Sequence, residues 1–497
     1  MLFWLNGFHL HYSLAYYLQS NLNADFFAII DINSNPKKFF QNQTLVKFQK
    51  MWFFHDYIKK TQHKPDLEYL VNFEKKYKID LWKHALNERF FYIHNRFYKF
   101  TKEEILIILE QELKLFESII DQVKPEYLLM YEPVFHHQKL LLELCKIKGI
   151  KILCTMIATG IQNKTIIVEN PTTYDLDPTV ISNNLKNSGN FTDEENNSYE
   201  LIIKKNQKER NLNLMNKSEG LMKYLVHENL EQNSNFMYYG KSKIKVVNDA
   251  LSLELRRKKN YNFLQNVSES SPNLKNPYIY FPMSIDEEMN ILHYAPYFTN
   301  QIEVIRHIAK SIPINYTIYV KEHYGAKLRG WHDIEYYKQL LDIPNVKLIN
   351  PYFDHNKLLE NSQLLMTIRS SSTLQAMKKS KPVIIFGEHP VQIMPGVFQV
   401  SDIKDIPELI KKALKYKVEQ SDYRKFVELL GDRLFEFNMF EYEIIRDKTF
   451  FSGKVFSNIE ISNQTMKNFL NENKQMFLHL VNAHLKIILK NDNIKLK

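Results

Sequence analysis

The sequence predicts an α/β protein with two parallel-sheet domains. Three observations carry that prediction. Short apolar runs alternate with amphipathic stretches of helical length, once near the start of the chain and again over 278–388. The 497 residues exceed what one ordinary hydrophobic core holds. Polar clusters stand just past the ends of the apolar runs, where open parallel sheets place their ligands.

The second series is the clearer one. YIYFP (278–282), YTIYV (316–320), VKLI (346–349), LLMTI (364–368) and PVIIF (382–386) read as strands buried on both faces. The stretches 298–310, 333–341, 356–361 and 372–379 between them read as helices, giving right-handed βαβ units of Rossmann type. A short last strand is expected at 397–402, with helices near 406–416 and 422–431.

The first series opens with the strand LFWL, a loop NGFHLHY, the helix SLAYYLQSNL and the strand ADFFAIIDI. Gly7 at the first turn lets backbone amides approach a ligand, and His9 and His11 lie where they would meet a substrate, although packing histidines are the commoner case. Residues 36–100, rich in aromatics and lysines, read as helices packed on this domain. The amphipathic helix 102–123 leads into EYLLM, then YEPVFHH, the helix QKLLLELCKIKG and the strand IKILCTM. Glu132, just past a strand end, is the candidate carboxylate on the acceptor side. His136 and His137 are adjacent, so their side chains are expected to diverge, and no metal site is expected there. Asp175 and Asp177 form a DxD pattern that reads better as a solvated turn than as a metal-diphosphate site.

The expected organisation is an N-terminal Rossmann-like, acceptor-side domain at 1–160, then a helical and irregular insertion with linker at 161–276. A C-terminal Rossmann-like domain at 277–415 and C-terminal helices at 416–497 follow. The tail repeats apolar residues at Met466, Phe469, Leu470, Phe477, Leu480, Val481 and Ile488, a stripe that docks on the protein's own body or, with its basic end, on an anionic membrane face. Lysines and arginines exceed acidic residues by 66 − 56 = 10, which suits an anionic ligand, yet no basic stripe or known module points to nucleic acid. Two cysteines and no long apolar run suggest a cytoplasmic protein.

Three clusters in the second series carry chemistry. In TIRSSSTLQAM, Ser370, Ser371, Ser372 and Thr373 form a turn into a helix whose amides suit phosphate, with Arg369 as a charged fork. Lys321, Glu322 and His323 follow a strand directly; alternation directs only some of them into the cleft, and His323 is the best candidate for contact with phosphate or a leaving oxygen. Asp286 and Glu288 of IDEE supply carboxylates of the kind glycosyl chemistry uses as base or nucleophile.

With FPMSIDEE, APYFTNQIEVIRHIAKSIP, YVKEH, YYKQLLDIPNVKLINP and MTIRSSSTLQAMKKSKPVIIFGE in this order, 278–388 resembles the capsule polysaccharide biosynthesis family, which includes bacterial capsule Kdo transferases. LNGFHLHYSLAYYLQ and AIIDI give a weaker match at the start. The resemblance implies a GT-B-like fold, two Rossmann-like domains facing across a cleft, with helical insertions and a C-terminal helical tail. It also implies a nucleotide-sugar donor, a glycan or lipid-linked acceptor and no obligatory metal or other cofactor. On this pattern Asp286 or Glu288 falls in the acidic motif, His323 in a His-Pro motif, and Ser370 to Gln375 in the donor loop. Two departures stand out: KEHP reads KEHY with Tyr324, and a donor-loop glutamate is replaced by Gln375. The expected function is a cytoplasmic glycosyltransferase of surface polysaccharide synthesis, peripheral to the inner membrane face at most. A sugar-nucleotide epimerase and an inactive scaffold of the capsule assembly machinery are the alternatives.

Overall fold

A computed structural model describes residues 1–7, 9–33, 35–161, 163–176, 238–240, 242–451 and 459–491. Asp177 and the helical stretch expected at 193–210 lie outside the described residues.

Two sheets organise the chain. The first is ordered β13-β6-β5-β4-β1-β2-β3, from β1 (Leu2–Asn6), β2 (Phe27–Asp31), β3 (Lys50–Phe53), β4 (Tyr127–Tyr131), β5 (Lys151–Ile157), β6 (Lys164–Val168) and β13 (Leu434–Glu436). Strands β1 to β5 pair in parallel, while β6 and β13 join antiparallel at one edge. The second sheet is ordered β12-β11-β10-β7-β8-β9, from β7 (Tyr278–Pro282), β8 (Thr317–Lys321), β9 (Val346–Ile349), β10 (Leu364–Thr367), β11 (Val383–Ile385) and β12 (Val397–Gln399), all parallel. Each sheet reverses its strand order between its first and fourth strands, β1/β4 and β7/β10. That is the doubly wound order, and it opens a crevice at the carboxyl ends of those strands.

The expected strands and helices of the second sheet recur within about three residues at their ends, because the runs of β7, β8, β10 and β11 are almost wholly buried. Residues 36–100 depart from the all-helical expectation. They contain β3, a four-residue edge strand with Lys50 exposed and Trp52 buried. The tail departs too: β13 brings the chain back to pair with β6, so the end of the sequence completes the first sheet.

The helices Asn463–Glu472 and Lys474–Asn491 then cover that sheet's face. All seven residues of the apolar stripe are buried there against Phe3, Leu5, Leu14 and Leu18. The stripe therefore faces the protein and not a lipid surface. Tyr17 Oη donates to Leu470 O at 2.8 Å, and Thr155 Oγ1 meets His484 Nε2 at 3.3 Å, which fixes the helices in register. No helix among the described residues is long and apolar enough to cross a membrane.

A single apolar cluster continues from the first sheet through Leu374 and Met377 into the second, so the sheets share a packed boundary. Gly160 marks the closest approach. With φ +74° it turns the chain after β5, and a Cβ there would stand 2.5 Å from Leu374 Cδ1.

Because Phe477 is fully buried among Tyr17, Tyr442 and Phe469, Phe477→Ala is expected to cost about 3–5 kcal/mol. Urea denaturation followed by tryptophan fluorescence measures it; a loss below about 1 kcal/mol would mean that the tail does not stabilise the first sheet.

Candidate functional site

The sheet order sets β10, β7 and β8 side by side, so the three polar clusters that follow them share one edge. Alternation past β7 then separates three consecutive carboxylates into three environments. Asp286 accepts from Gln301 Nε2 at 2.5 Å and meets His332 Nε2 at 3.0 Å, so both its oxygens are engaged. Glu287 pairs with Arg329 and stands 4.0 Å from both Arg96 and His94. Glu288, half-buried at the cap of a four-residue helix, is bonded to no described side chain and feels the charges of His323 and Arg89.

His332 is the organising side chain. Its Nδ1 lies 2.5 Å from Glu322 and its Nε2 3.0 Å from Asp286, and Tyr336 stacks on the ring at 4.1 Å. Burial alone would lower its pKa; the two carboxylates outweigh burial and push it up to about 10, so it is an imidazolium. Glu322 is buried, and also accepts from Tyr337 Oη at 2.8 Å and from the His323 amide at 2.6 Å. This ties the strand end to the imidazolium. Sequence reasoning missed His332 because it lies beyond the turn Tyr324–Arg329 and returns to Glu322 only through Gly330 (φ 91°) and Trp331 (φ 61°).

His323 is exposed at the turn that follows β8. Its Nδ1 accepts from the Gly325 amide at 3.0 Å, so the neutral ring carries its proton on Nε2. The surrounding walls hold its pKa below the ordinary histidine value, with Glu288 and Glu322 opposing that effect.

The opposite wall comes from the first domain. Arg89, His94 and Arg96 line the cleft with Asp286, Glu287, Arg329, His332 and Tyr336, around two contiguous spaces of ≈ 270 and ≈ 340 Å³. Arg89 donates to Val134 O at 2.7 Å, which anchors the wall to the end of β4. These three residues sit in an aromatic, lysine-rich segment that reads as packing, and no local pattern singles them out.

Other expected site residues fall elsewhere. His9 and His11 are buried, and desolvation lowers both to about 3, leaving neutral rings. His9 packs between Phe40 and Phe450, and His11 lies near His484 of the tail, so neither faces the cleft as expected. Gly7 remains partly exposed at the end of β1. Glu132, expected on the acceptor side, is buried and accepts from Tyr294 Oη of the second domain at 2.8 Å. Burial raises its pKa, against the pull of Arg369. Arg369 is engaged in structure through Nε and Nη1, and its buried Nη2 has no partner among the described residues. The guanidinium donates to Glu388 O at 2.9 Å and to Asn290, and stacks over Tyr294 at 3.8 Å.

In the donor loop Ser370 Oγ bonds the Ser372 amide and hydroxyl, Thr373 is buried, and Ser371 is exposed. Gln375 pairs with His355 Nε2 at 2.8 Å. Lys321 is buried as the last residue of β8. Asp175 builds a turn by accepting from the Glu169 and Asn170 amides at 2.8 and 2.7 Å.

The sheet that carries this edge also decides the family resemblance. Residues 202–406 match the capsule polysaccharide biosynthesis protein family. The capsule biosynthesis match spans β7 to β12 and contains all three clusters. No curated protein matches. Among solved structures, the KpsC beta Kdo 2,7 transferase of Thermosulfurimonas dismutans is similar at 11% identity and TM-score 0.32, covering 73% of this chain and 89% of that one. The UDP-GlcNAc 2-epimerase of Methanocaldococcus jannaschii is similar at 13% identity and TM-score 0.26, covering 86% and 99%. The trehalose-6-phosphate phosphatase N-terminal domain of Candida albicans gives 11%, TM-score 0.30, 89% and 94%. These are distant likenesses; the two-sheet fold rests on this chain's own strand order.

Because the folded-state pKa of His332 is raised from 6.5 to about 10, its stabilisation is complete below pH 6.5 and is lost as pH rises towards 10. Wild type should therefore lose more stability than His332→Gln across that window. Denaturation midpoints measured at several pH values check this; parallel curves would mean a neutral His332.

Proposed function

We propose that the chain is a glycosyltransferase of surface or capsular polysaccharide synthesis, moving a sugar from a nucleotide-sugar donor to a glycan or lipid-linked acceptor. The family match supports the class of function. The observation that carries the reading is the separation of the three carboxylates. Asp286 and Glu287 are consumed by ion pairs, and Glu288 alone is left for chemistry at the cleft edge.

In this reading Glu288 is the working carboxylate. It takes the proton of the acceptor hydroxyl in an inverting reaction, or attacks the anomeric carbon in a retaining one. His323 offers its Nε2–H to a donor phosphate or leaving oxygen. The exposed Ser371 and its neighbour Ser370 complete the donor loop. Arg89, Arg96 and Arg329 offset the phosphate charge that a nucleotide-sugar brings into the cleft. Asp286, His332 and Glu322 act through position: they fix the IDEE turn and the strand end bearing His323.

Thermal shift against CMP, UDP, GDP, CDP and their sugar conjugates tests donor binding. A ligand at about 100 times its dissociation constant adds roughly 2.7 kcal/mol. Selective stabilisation by one base, lost in the Ser371→Ala, His323→Ala double variant, is the expected result. No response to any nucleotide would move the protein to the scaffold class, and a modified sugar nucleotide released without acceptor would make it an epimerase.

For catalysis, Glu288→Gln should keep the donor-dependent shift and lose transfer by about 10²–10⁴-fold. If Glu288→Gln transfers at the wild-type rate, the assignment of Glu288 is wrong.

A further inference from the structure

A second constellation lies beneath the first domain's side of the cleft, outside the transferase reading. Glu112 projects from the middle of the helix Lys102–Val123, and His136 and His137 open the helix His136–Ile147. All three are buried, and one ligand atom from each lies within 4.8 Å of the others. Adjacency led to the expectation of diverging rings. The rings are indeed 86° apart, yet each turns one nitrogen to the same point. His136 uses Nε2 and His137 uses Nδ1, and these stand 3.5 and 3.3 Å from Tyr238 Oη. Tyr238 Oη is also 2.6 Å from Glu112 Oε1, and His136 Nε2 is 3.0 Å from Glu112 Oε2. A tetrahedral ion with bonds of about 2.0–2.1 Å holds its ligand atoms about 3.3 Å apart, close to the separation of the two histidine nitrogens from Tyr238 Oη, while the shorter contacts are made by the two oxygens of Glu112.

The outward nitrogens strengthen the case. His136 Nδ1 lies 2.9 Å from Glu88, and His137 Nε2 lies 3.3 Å from Asp31, which is itself braced by His55 at 3.0 Å and Gln138 at 3.1 Å. An imidazole whose far nitrogen gives its proton to a carboxylate presents a lone pair on the near one, the arrangement that surrounds metal-bound histidines. A divalent ion at this point would also offset the negative charge of Glu88, Glu112 and Asp31, which surround the two rings.

We propose that Glu112, His136, His137 and Tyr238 bind a divalent transition-metal ion, with zinc favoured by the nitrogen and oxygen donor set. Four protein ligands leave no open position, so the ion is structural and takes no part in sugar transfer. It fastens Tyr238, just ahead of the helix Lys243–Val267, onto the first sheet. That helix packs on the second domain, where Asn260 donates to Gly330 O at 3.1 Å.

The test uses tag-free, full-length protein grown with zinc and gel-filtered without chelator. Plasma mass spectrometry should find about one zinc per chain, and cobalt(II) reconstitution should give the intense visible bands of a tetrahedral site. The Glu112→Gln, His136→Gln double variant should lose both, and His137→Gln provides a second variant should that one fail to fold. Wild-type protein that retains no metal and shows only weak, octahedral cobalt bands would overturn the proposal. So would variants that fold and keep the wild-type metal content.

Discussion

The boundary between the two sheets is the constraint on which the rest of the molecule depends. Each doubly wound sheet opens its crevice where its strand order reverses, and the residues that leave those two points meet each other. Glu132 leaves β4, Arg369 leaves β10, and Tyr294 lies between them, bonded to the first at 2.8 Å and stacked under the second at 3.8 Å. Lys139 Nζ reaches His293 O at 2.8 Å across the same boundary. Glu132, His293, Tyr294 and Arg369 are buried, so their bonds are made in surroundings where an unmet partner would cost more than it does at a surface. The contact sets the separation of the sheets, and with it the width of the cleft that Arg89, His94 and Arg96 face.

Within that frame, chemistry is assigned by who is left over. Three successive acidic residues are equivalent in sequence, and tertiary partners make them different. Asp286 meets an imidazolium, Glu287 meets arginine, and Glu288 meets neither. The imidazolium is itself a product of the fold, since burial alone would have discharged His332 and only the paired carboxylates keep it charged. In the proposed reading, positioning and reacting groups are thus separated by one residue of chain.

What the sequence made legible follows from how local the signal is. Strands β7, β8, β10 and β11 are almost wholly buried runs because both faces are covered, β9 at the sheet edge exposes only Lys347, and the polar residues past the strand ends mark the crevice with no further information. Strands β3, β6 and β13 are three to five residues long, and β13 exists only because the chain returns to pair with β6. No window of sequence contains that pairing. His9 and His11 read as loop histidines beside a ligand, and the segments that enclose them, Phe450 and the helix bearing His484, arrive more than 430 residues later. His332, Arg89 and His94 were hidden for the same reason: their partners are distant in sequence. The adjacent rings of His136 and His137 diverge as expected, yet a nitrogen of each reaches Tyr238 Oη, because alternation says where a side chain leaves the backbone and not which ring nitrogen it presents.

The two departures from the family pattern can now be weighed against the site that surrounds them. Tyr324, where a proline would stiffen the turn, packs edge-on against Tyr352 at 5.5 Å, and the turn is closed by the Gly325 amide on His323 Nδ1. Rigidity is supplied by other means. Gln375 pairs with His355, whose other nitrogen meets Tyr280 Oη at 2.8 Å, so an uncharged donor-loop residue has a partner suited to it. A retired site would be free to lose its costly groups. The Asp286–His332–Glu322 chain takes charges out of water, which is a poor way to stabilise a fold when apolar packing would serve as well. Its presence beside Glu288 is what the proposed transferase reading calls for, and what the scaffold alternative leaves without a use.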